Sequence, residues 1–366
     1  MSMRDLPYDI FTNILSRISI KSLFRFRCVC ISWRDFLSDP HFIKQQLIRS
    51  TETNISNPNL ILNCGSNLYH VLYSIHNDTW DDEPVKLDLP FKLSNIGIVG
   101  SCNGLVCLLG YSNRVYDVVV WNPITRDYKK LPYTSLQFPG RTVSRFPVMG
   151  FGYSPSKDVY KVLRVIYFHV DGRTASSCRS LVQVHTLGSD SWRRIGEIPF
   201  EIRDWLSGTF VNGALHWFAI RSSRPDTIVS FDVGDEKFRK IPQPLFGDDG
   251  FLKKLEVLGG FLCMICTYYD NRVKIWVMKD YGVRESWIKH FSISQPMVVG
   301  NFKHLKPLGF TKSGEILLEM HDGKLVLYDP ERKLFSNFRI PGVPVCSEVG
   351  AFIGTLISPK ACSRNE

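Results

Sequence analysis

Residues 101–132, SCNGLVCLLGYSNRVYDVVVWNPITRDYKKLP, decide how this 366-residue chain folds. The stretch opens with a Gly-containing turn and an apolar strand. It passes through a second strand that ends in an Asn/Asp-type turn, and closes on aromatic–basic–apolar–Pro. The same order recurs. Residues 210–242 give FVNGALHWFAI and then TIVSFDVGDEKFRKIP, and residues 310–341 give FTKSGEILLEMHDGKLVLYDPERKLFSNFRIP. Looser copies span 150–199, with Trp192-Arg193-Arg194 ahead of Pro199, then 257–293, with Trp287, and 59–90, ending LDLP.

The closing aromatics Tyr128, Trp192, Phe238, Trp287 and Phe335 follow one another at 64, 46, 49 and 48 residues. A period of roughly 40–50 with several short strands per unit indicates propeller blades. Stacked blades would bury these aromatics between sheets, so packing is their first explanation. About six units fit residues 57–358, and GAFIGTLIS at 350–358 is placed to pair with the first unit and close the ring, which removes exposed edges. An irregular antiparallel sandwich is the competing architecture.

Upstream, residues 4–47 read RDLPYDIFTNILSRISIKSLFRFRCVCISWRDFLSDPHFIKQQL, a different texture. Asp5 is a candidate N-cap with Pro7 in the first turn, and Leu6, Ile10, Phe11, Ile14, Leu15 and Ile18 recur at helical spacing. Ser19 or Ser22 restarts a helix through Leu23, Phe24, Phe26 and Val29. Ser32 caps a third with Trp33, Phe36 and Leu37, stopped at Asp39-Pro40, and Phe42, Ile43 and Leu47 add a further turn or two. Roughly 45 residues is near the lower limit for an independent core. A surplus of large apolar side chains on so small a unit marks a protein–protein site. Arg4, Arg17, Lys21, Arg25, Arg27, Arg34, Lys44 and Arg49 outnumber Asp5, Asp9, Asp35 and Asp39, so the expected partner has an apolar groove with acidic surroundings. A helical cap packed on the domain behind it is the plainer alternative.

The expected organisation is therefore a small all-α three-helix module at 1–48, a linker at 49–56, an all-β propeller of about six blades at 57–358, and a tail at 359–366. The chain carries no apolar run of about 18 residues, so no membrane span is expected. Charges at Arg4, Asp5 and Asp9 argue against a secretory leader. The ten cysteines are scattered, and Cys64, Cys107, Cys263 and Cys266 sit in strand-like runs, which reads as reduced core thiols of a cytoplasmic or nuclear protein. The net charge of +10 is dispersed with no basic run of five, so an acidic partner is favoured over direct nucleic-acid binding.

No cofactor or metal is expected. Cys263-Met-Ile-Cys266 has metal-ligand spacing, but the two thiols of one strand would face opposite sides. The nine histidines are far apart, His216 reads as a hydrogen-bonded core residue, and no nucleophile elbow or phosphate loop occurs. No catalytic residue emerges. A propeller oxidase would need a convergent His/Tyr/Cys metal set that the sequence does not supply.

Leu6-Pro7, Ile10, Ile14-Leu15, Ile18, Leu23, Phe26, Cys28-Val29, Trp33 and Pro40-His-Phe42 together resemble the F-box, with Ile18-Ser19 standing where that family usually has Leu-Pro. GSCNGLVCL at 100–108, VVVWNP at 118–123, GFGYSP at 150–155 with YKVLRV at 160–165, VNGALHW at 211–217 and VSFD at 229–232 are similar to the F-box-associated domain of plant F-box proteins. The resemblance implies a kelch-like propeller and docking to the Skp-type adaptor of a cullin-based ubiquitin ligase. It implies that the chain delivers a target protein and performs no covalent chemistry. The docking residues it indicates are Leu6, Pro7, Ile10, Ile14, Leu15, Ile18, Leu23, Val29 and Trp33. Target contacts are expected from long loops at 136–145, 171–177, 221–226 and 247–250. Arg141, Arg145, Arg173, Arg221 and Arg224 there favour an acidic or phosphorylated surface.

Overall fold

The Asn-Gly and Gly-Gly pairs of the repeat make two-residue hairpins. A computed structural model describes residues 7–54, 59–65, 67–72, 84–112, 115–133, 141–143, 146–170, 178–202, 207–220, 227–244, 252–268, 272–294, 305–311, 313–320, 323–338 and 340–360. In it Cys102 pairs with Leu105, Val211 with Ala214 and Leu258 with Phe261. The two residues inside each turn have positive φ, as such turns require: Asn103 50° and Gly104 82°, Asn212 50° and Gly213 74°, Gly259 59° and Gly260 81°.

The Asn/Asp-type turn has an equally local cause. Asn122 Oδ1 accepts from the N–H of Ile124 at 2.8 Å and Thr125 at 3.2 Å. Asp232 Oδ1 accepts from Gly234 and Asp235 at 2.8 and 2.9 Å, and Asp329 Oδ1 from Glu331 and Arg332 at 2.9 and 3.0 Å. One side-chain oxygen thus satisfies two turn donors in each of the three clearest copies of the motif, blades two, four and six. The chain leaves each turn through a left-handed residue, Arg126, Glu236 or Lys333.

Six antiparallel sheets result, each with four strands along its main path. Blade two is β4 (Gly97–Cys102), β5 (Leu105–Ser112), β6 (Val115–Trp121) and β7 (Tyr128–Lys130). Blade three is β9 (Val148–Ser154), β10 (Val159–Val170), β11 (Cys178–Thr186) and β12 (Arg193–Gly196), with β8 (Arg141–Val143) on the far end of β10. Blade four is β14 (Thr209–Val211), β15 (Ala214–Ile220), β16 (Thr227–Asp232) and β17 (Phe238–Ile241), with β13 (Glu201–Ile202) beside β15. Blade five holds β18 (Leu252–Leu258) to β21 (Trp287–Ser294), and blade six β22 (Leu305–Phe310) to β25 (Leu334–Phe338). Blade one takes its innermost strand, β26 (Glu348–Phe352), from far along the chain and pairs it with β1 (Asn59–Cys64), followed by β2 (Asn67–Leu72) and β3 (Val85–Leu87). The ring is closed as the sequence indicated. In blades two, five and six most of the inner strand precedes the repeat unit read at 101, 257 or 310, because the hairpin signal is sharper than the start of an inner strand.

One apolar cluster fills each interface between neighbouring blades. Trp121, Ile61 and Phe352 join blades one and two; Leu317, Leu62 and Val349 join six and one. The closing aromatics occupy these interfaces on the side of the preceding blade. Two tether it as well: Trp192 Nε1 donates to Pro132 O at 3.0 Å and Trp287 Nε1 to Pro242 O at 2.9 Å. Cys263 lies in the cluster between blades five and six and Cys266 in that between four and five, so their thiols do face opposite sides.

Ahead of the ring stand α1 (Tyr8–Leu15), α2 (Ile20–Phe26) and α3 (Ile31–Phe36). A fourth helix, α4 (Pro40–Asn54), follows these three and runs through residues expected to form a linker. Its polar second half is held by Gln46 Nε2 donating to Ser50 Oγ and Thr51 Oγ1 donating to Leu47 O. The caps also differ from expectation. Asp5 lies outside the described residues and Pro7 occupies the N-cap of α1; Cys30, not Ser32, precedes α3. Asp39 accepts from the N–H groups of His41 and Phe42, so it starts α4 as well as following α3.

A Cβ at Gly104 would lie 2.6 Å from Ile353 O, whereas the nearest atom at Gly213 is 3.8 Å away. Gly213→Ala should cost about 1–2 kcal/mol, the left-handed penalty alone, and Gly104→Ala roughly 1–3 kcal/mol more. Equal denaturant midpoints for the two variants would refute the difference. His216 is buried and held between Thr209 O, 3.0 Å from Nδ1, and the Tyr281 hydroxyl, 2.7 Å from Nε2. A carbonyl only accepts, so Nδ1 carries the proton and Nε2 accepts from Tyr281. Burial pulls the His216 pKa down to about 4. The unfolded chain takes up this proton below about 6.5, so stability is lost as pH falls from there towards 4, by about 2 kcal/mol at pH 5. Chemical denaturation at pH 7 and 5 should show a smaller pH effect in His216→Gln than in the parent.

Candidate functional site

The helical module is built around edge-on and tilted aromatic contacts. Phe11 meets Trp33 and Phe36 at centroid distances of 5.4 and 4.9 Å, Phe26 meets Trp33 at 5.2 Å, and Phe36 meets Phe42 at 4.9 Å. Ser19 caps α2, its Oγ accepting from Ser22 N at 3.3 Å. The Tyr8 hydroxyl donates to Asp39 Oδ2 at 2.6 Å, joining the start of α1 to that of α4. That bond draws the Asp39 carboxyl below its usual pKa and raises the Tyr8 hydroxyl.

The residues indicated for docking separate into two sets. Leu15 and Leu23 are buried in the module core with Leu37 and Phe42, where they hold the helices together. Ile18 and Trp33 are half-buried against that core. Pro7, Ile10, Ile14 and Val29 reach solvent, with Ile10 and Ile14 each 49 % exposed and Val29 64 %. Leu6 lies outside the described residues. Ile10 and Ile14 are one helical turn apart on the same side of α1. The sequence reading missed Tyr8 and Ile31 as exposed apolar residues; Ile31 extends the Cys28–Val29–Cys30 run, all of it at the surface. Basic groups share the module: Arg25 is exposed, Arg17 Nε donates to Asn13 Oδ1, and Arg27 Nη2 donates to Ser38 Oγ.

Strand direction fixes where the other candidates fall. In each blade the innermost strand runs towards one rim, the second returns, and the third and fourth repeat the alternation. The Asn-Gly hairpins and the Asn122, Asp232 and Asp329 turns therefore share one rim. β26 ends at that rim and β1 starts there, so the helical module adjoins it. The strand ends flanking 136–145, 171–177, 221–226 and 247–250 all belong to the opposite rim. Arg141 begins β8, where its backbone pairs with Val170. Arg145, Arg173, Arg221 and Arg224 lie outside the described residues. Among the described residues, no group of three His, Cys, Asp or Glu side chains is placed to hold a metal.

A helical module with an exposed apolar turn, joined to a six-bladed ring, is the arrangement of an F-box followed by its associated propeller. The family model described as the F-box associated beta propeller domain matches residues 61–355, and that of the F-box domain matches residues 3–45. The chain belongs to the F-box proteins that carry an F-box-associated propeller. It is 31 % identical to F-box protein CPR1 of Arabidopsis thaliana, over 97 % of this chain and 89 % of that one. Identity is 33 % with F-box protein At3g07870 of the same plant, over 97 % and 92 %, and 28 % with F-box/kelch-repeat protein At3g23880, also of Arabidopsis thaliana, over 98 % and 97 %. This architecture is typical of substrate receptors of Skp–cullin–F-box ligases, and its domains are generally non-catalytic adaptor modules.

Proposed function

We propose that this chain is the substrate-recognition subunit of a Skp–cullin–F-box ubiquitin ligase. The exposed Ile10, Ile14 and Val29 on the helical module carry the reading: large apolar groups on a module that carries basic groups suit an adaptor with an apolar groove and acidic surroundings. Leu6 and Pro7 extend the same contact, and the cullin is reached through the adaptor. The target protein is held at the rim opposite the module, by the loops that include Arg141, Arg145, Arg173, Arg221 and Arg224. Those arginines suit acidic or phosphorylated targets. Catalysis is positional. A held target presents its lysines to the ubiquitin carrier at high effective concentration. The working compartment is the cytoplasm or the nucleus.

Truncating a buried interface anchor typically costs about 2 kcal/mol or more. Ile14→Asp combined with Val29→Asp should therefore weaken binding of a purified Skp-type adaptor by at least about thirtyfold. Both side chains are exposed, so the thermal transition of the receptor should stay unchanged. Undiminished binding would overturn the docking surface. Reconstituted ubiquitination of a captured target separates a ligase receptor from a scaffold that binds the adaptor alone.

A further inference from the structure

The helical module does not complete its own core. Leu356, 2 % exposed, packs with Leu15, Leu23, Leu37 and Phe42, one residue from the end or start of each of α1, α3 and α4 and one from within α2. It arrives on residues 353–358, which directly follow the ring-closing strand. This segment is gripped from both sides. On the module side, buried Gln46 donates through Nε2 to Gly354 O at 3.4 Å, a contact between positions 308 apart. Gly354 sits so close to α2 that a Cβ there would lie 2.8 Å from Ile20 Cγ2. On the ring side, Asn122 Nδ2 donates to Thr355 O at 3.0 Å and Ile357 O at 2.7 Å. Thr355, fully buried, donates through Oγ1 to Asn103 O at 3.0 Å.

Asn122 shows that this grip is specific to blade two. Its oxygen does what Asp232 and Asp329 do in their blades, satisfying two turn donors. An amide can also donate, and here its Nδ2 meets two carbonyls of the incoming segment. A carboxylate at position 122 would keep the turn but face both carbonyl oxygens with negative charge.

We propose that residues 353–358 form a strap that holds the adaptor-docking surface in shape, with Leu356 as its positioning residue and Asn122 as its anchorage on the ring. The inference rests on the docking reading above. Ile10 and Ile14 belong to α1, and Val29 to the turn between α2 and α3, so one partner meets both elements only while their relative placement is fixed. Leu356 shares one buried cluster with residues of α1, α2 and α4 and with the residue that ends α3. Because the strap continues from β26, the surface is completed only when the ring is closed. The partner it serves is the adaptor already inferred.

The test uses the full chain and a purified Skp-type adaptor. Leu356→Ala and Asn122→Asp should each weaken adaptor binding tenfold or more, while Leu356→Met stays within about threefold of the parent. Hydrogen exchange should rise in α1 to α4 and stay unchanged in the ring strands. Asn122→Asp matters because it alters no residue of the module, so it reports on the strap even if Leu356→Ala misfolds. Parent-like affinity in both disruptive variants overturns the strap, whatever exchange shows. A parent chain that fails to bind the adaptor overturns the docking reading itself, a distinct result.

Discussion

When Leu60, Ile61 and Leu62 take Ala351, Gly350 and Val349 as partners, no inner strand of the ring is left without a neighbour. The rest of the structure depends on that pairing. β26 is held from its other side too. Val349 N donates to Glu319 Oε1 at 2.9 Å, Lys306 Nζ donates to Val349 O at 2.7 Å, and Ile98 N donates to Glu348 Oε2 at 3.1 Å. Burial raises the Glu319 pKa while Lys306, 3.6 Å from its Oε2, pulls it back down. Blade six and blade two therefore both bind the strand that blade one borrows, through polar contacts that only one register satisfies. A slip of one residue would turn Val349 out of its apolar cluster and misplace all three.

Much of the ring was legible because its determinants are local. Asn-Gly needs nothing beyond its own φ angles, and an Asx turn nothing beyond the next three residues. The opposed thiols of Cys263 and Cys266 follow from strand alternation alone. The helical module was less legible. Helical spacing shows that Leu15 and Ile14 are apolar; only the packing of α1 against its neighbours shows that one is core and the other surface. The extent of α4 escaped because its second half carries no apolar stripe and relies on Gln46, Ser50 and Thr51. The role of Leu356 had no local signal at all, since its partners lie at the other end of the sequence. Residue 122 did leave a trace, an Asn where the later copies have Asp, whose meaning appears only once the two carbonyls beside it are known.

The two rims divide the labour physically. One carries short turns fixed by their own hydrogen bonds and receives the helical module. The other is where the strands flanking 136–145, 171–177, 221–226 and 247–250 end. The aromatic packing at Tyr128, Trp192, Phe238, Trp287 and Phe335 ties each blade to the one before it and keeps that frame in place whatever the rims carry. Under the proposed function, rigidity between the rims matters, because error in angle at the ring becomes error in distance at whatever the far rim holds.

The borrowed strand also sets a condition on how the chain is made. β1 emerges from the ribosome nearly three hundred residues before β26. Leu60, Ile61 and Leu62, each at most 1 % exposed in the finished ring, must wait through that interval beside an unpaired backbone edge. Contacts of such sequence separation form slowly, and an open apolar edge invites pairing with other chains. Until β26 arrives the nascent chain is thus open to pairing with other chains, and its yield should depend on how long that edge waits as much as on the stability of the closed form.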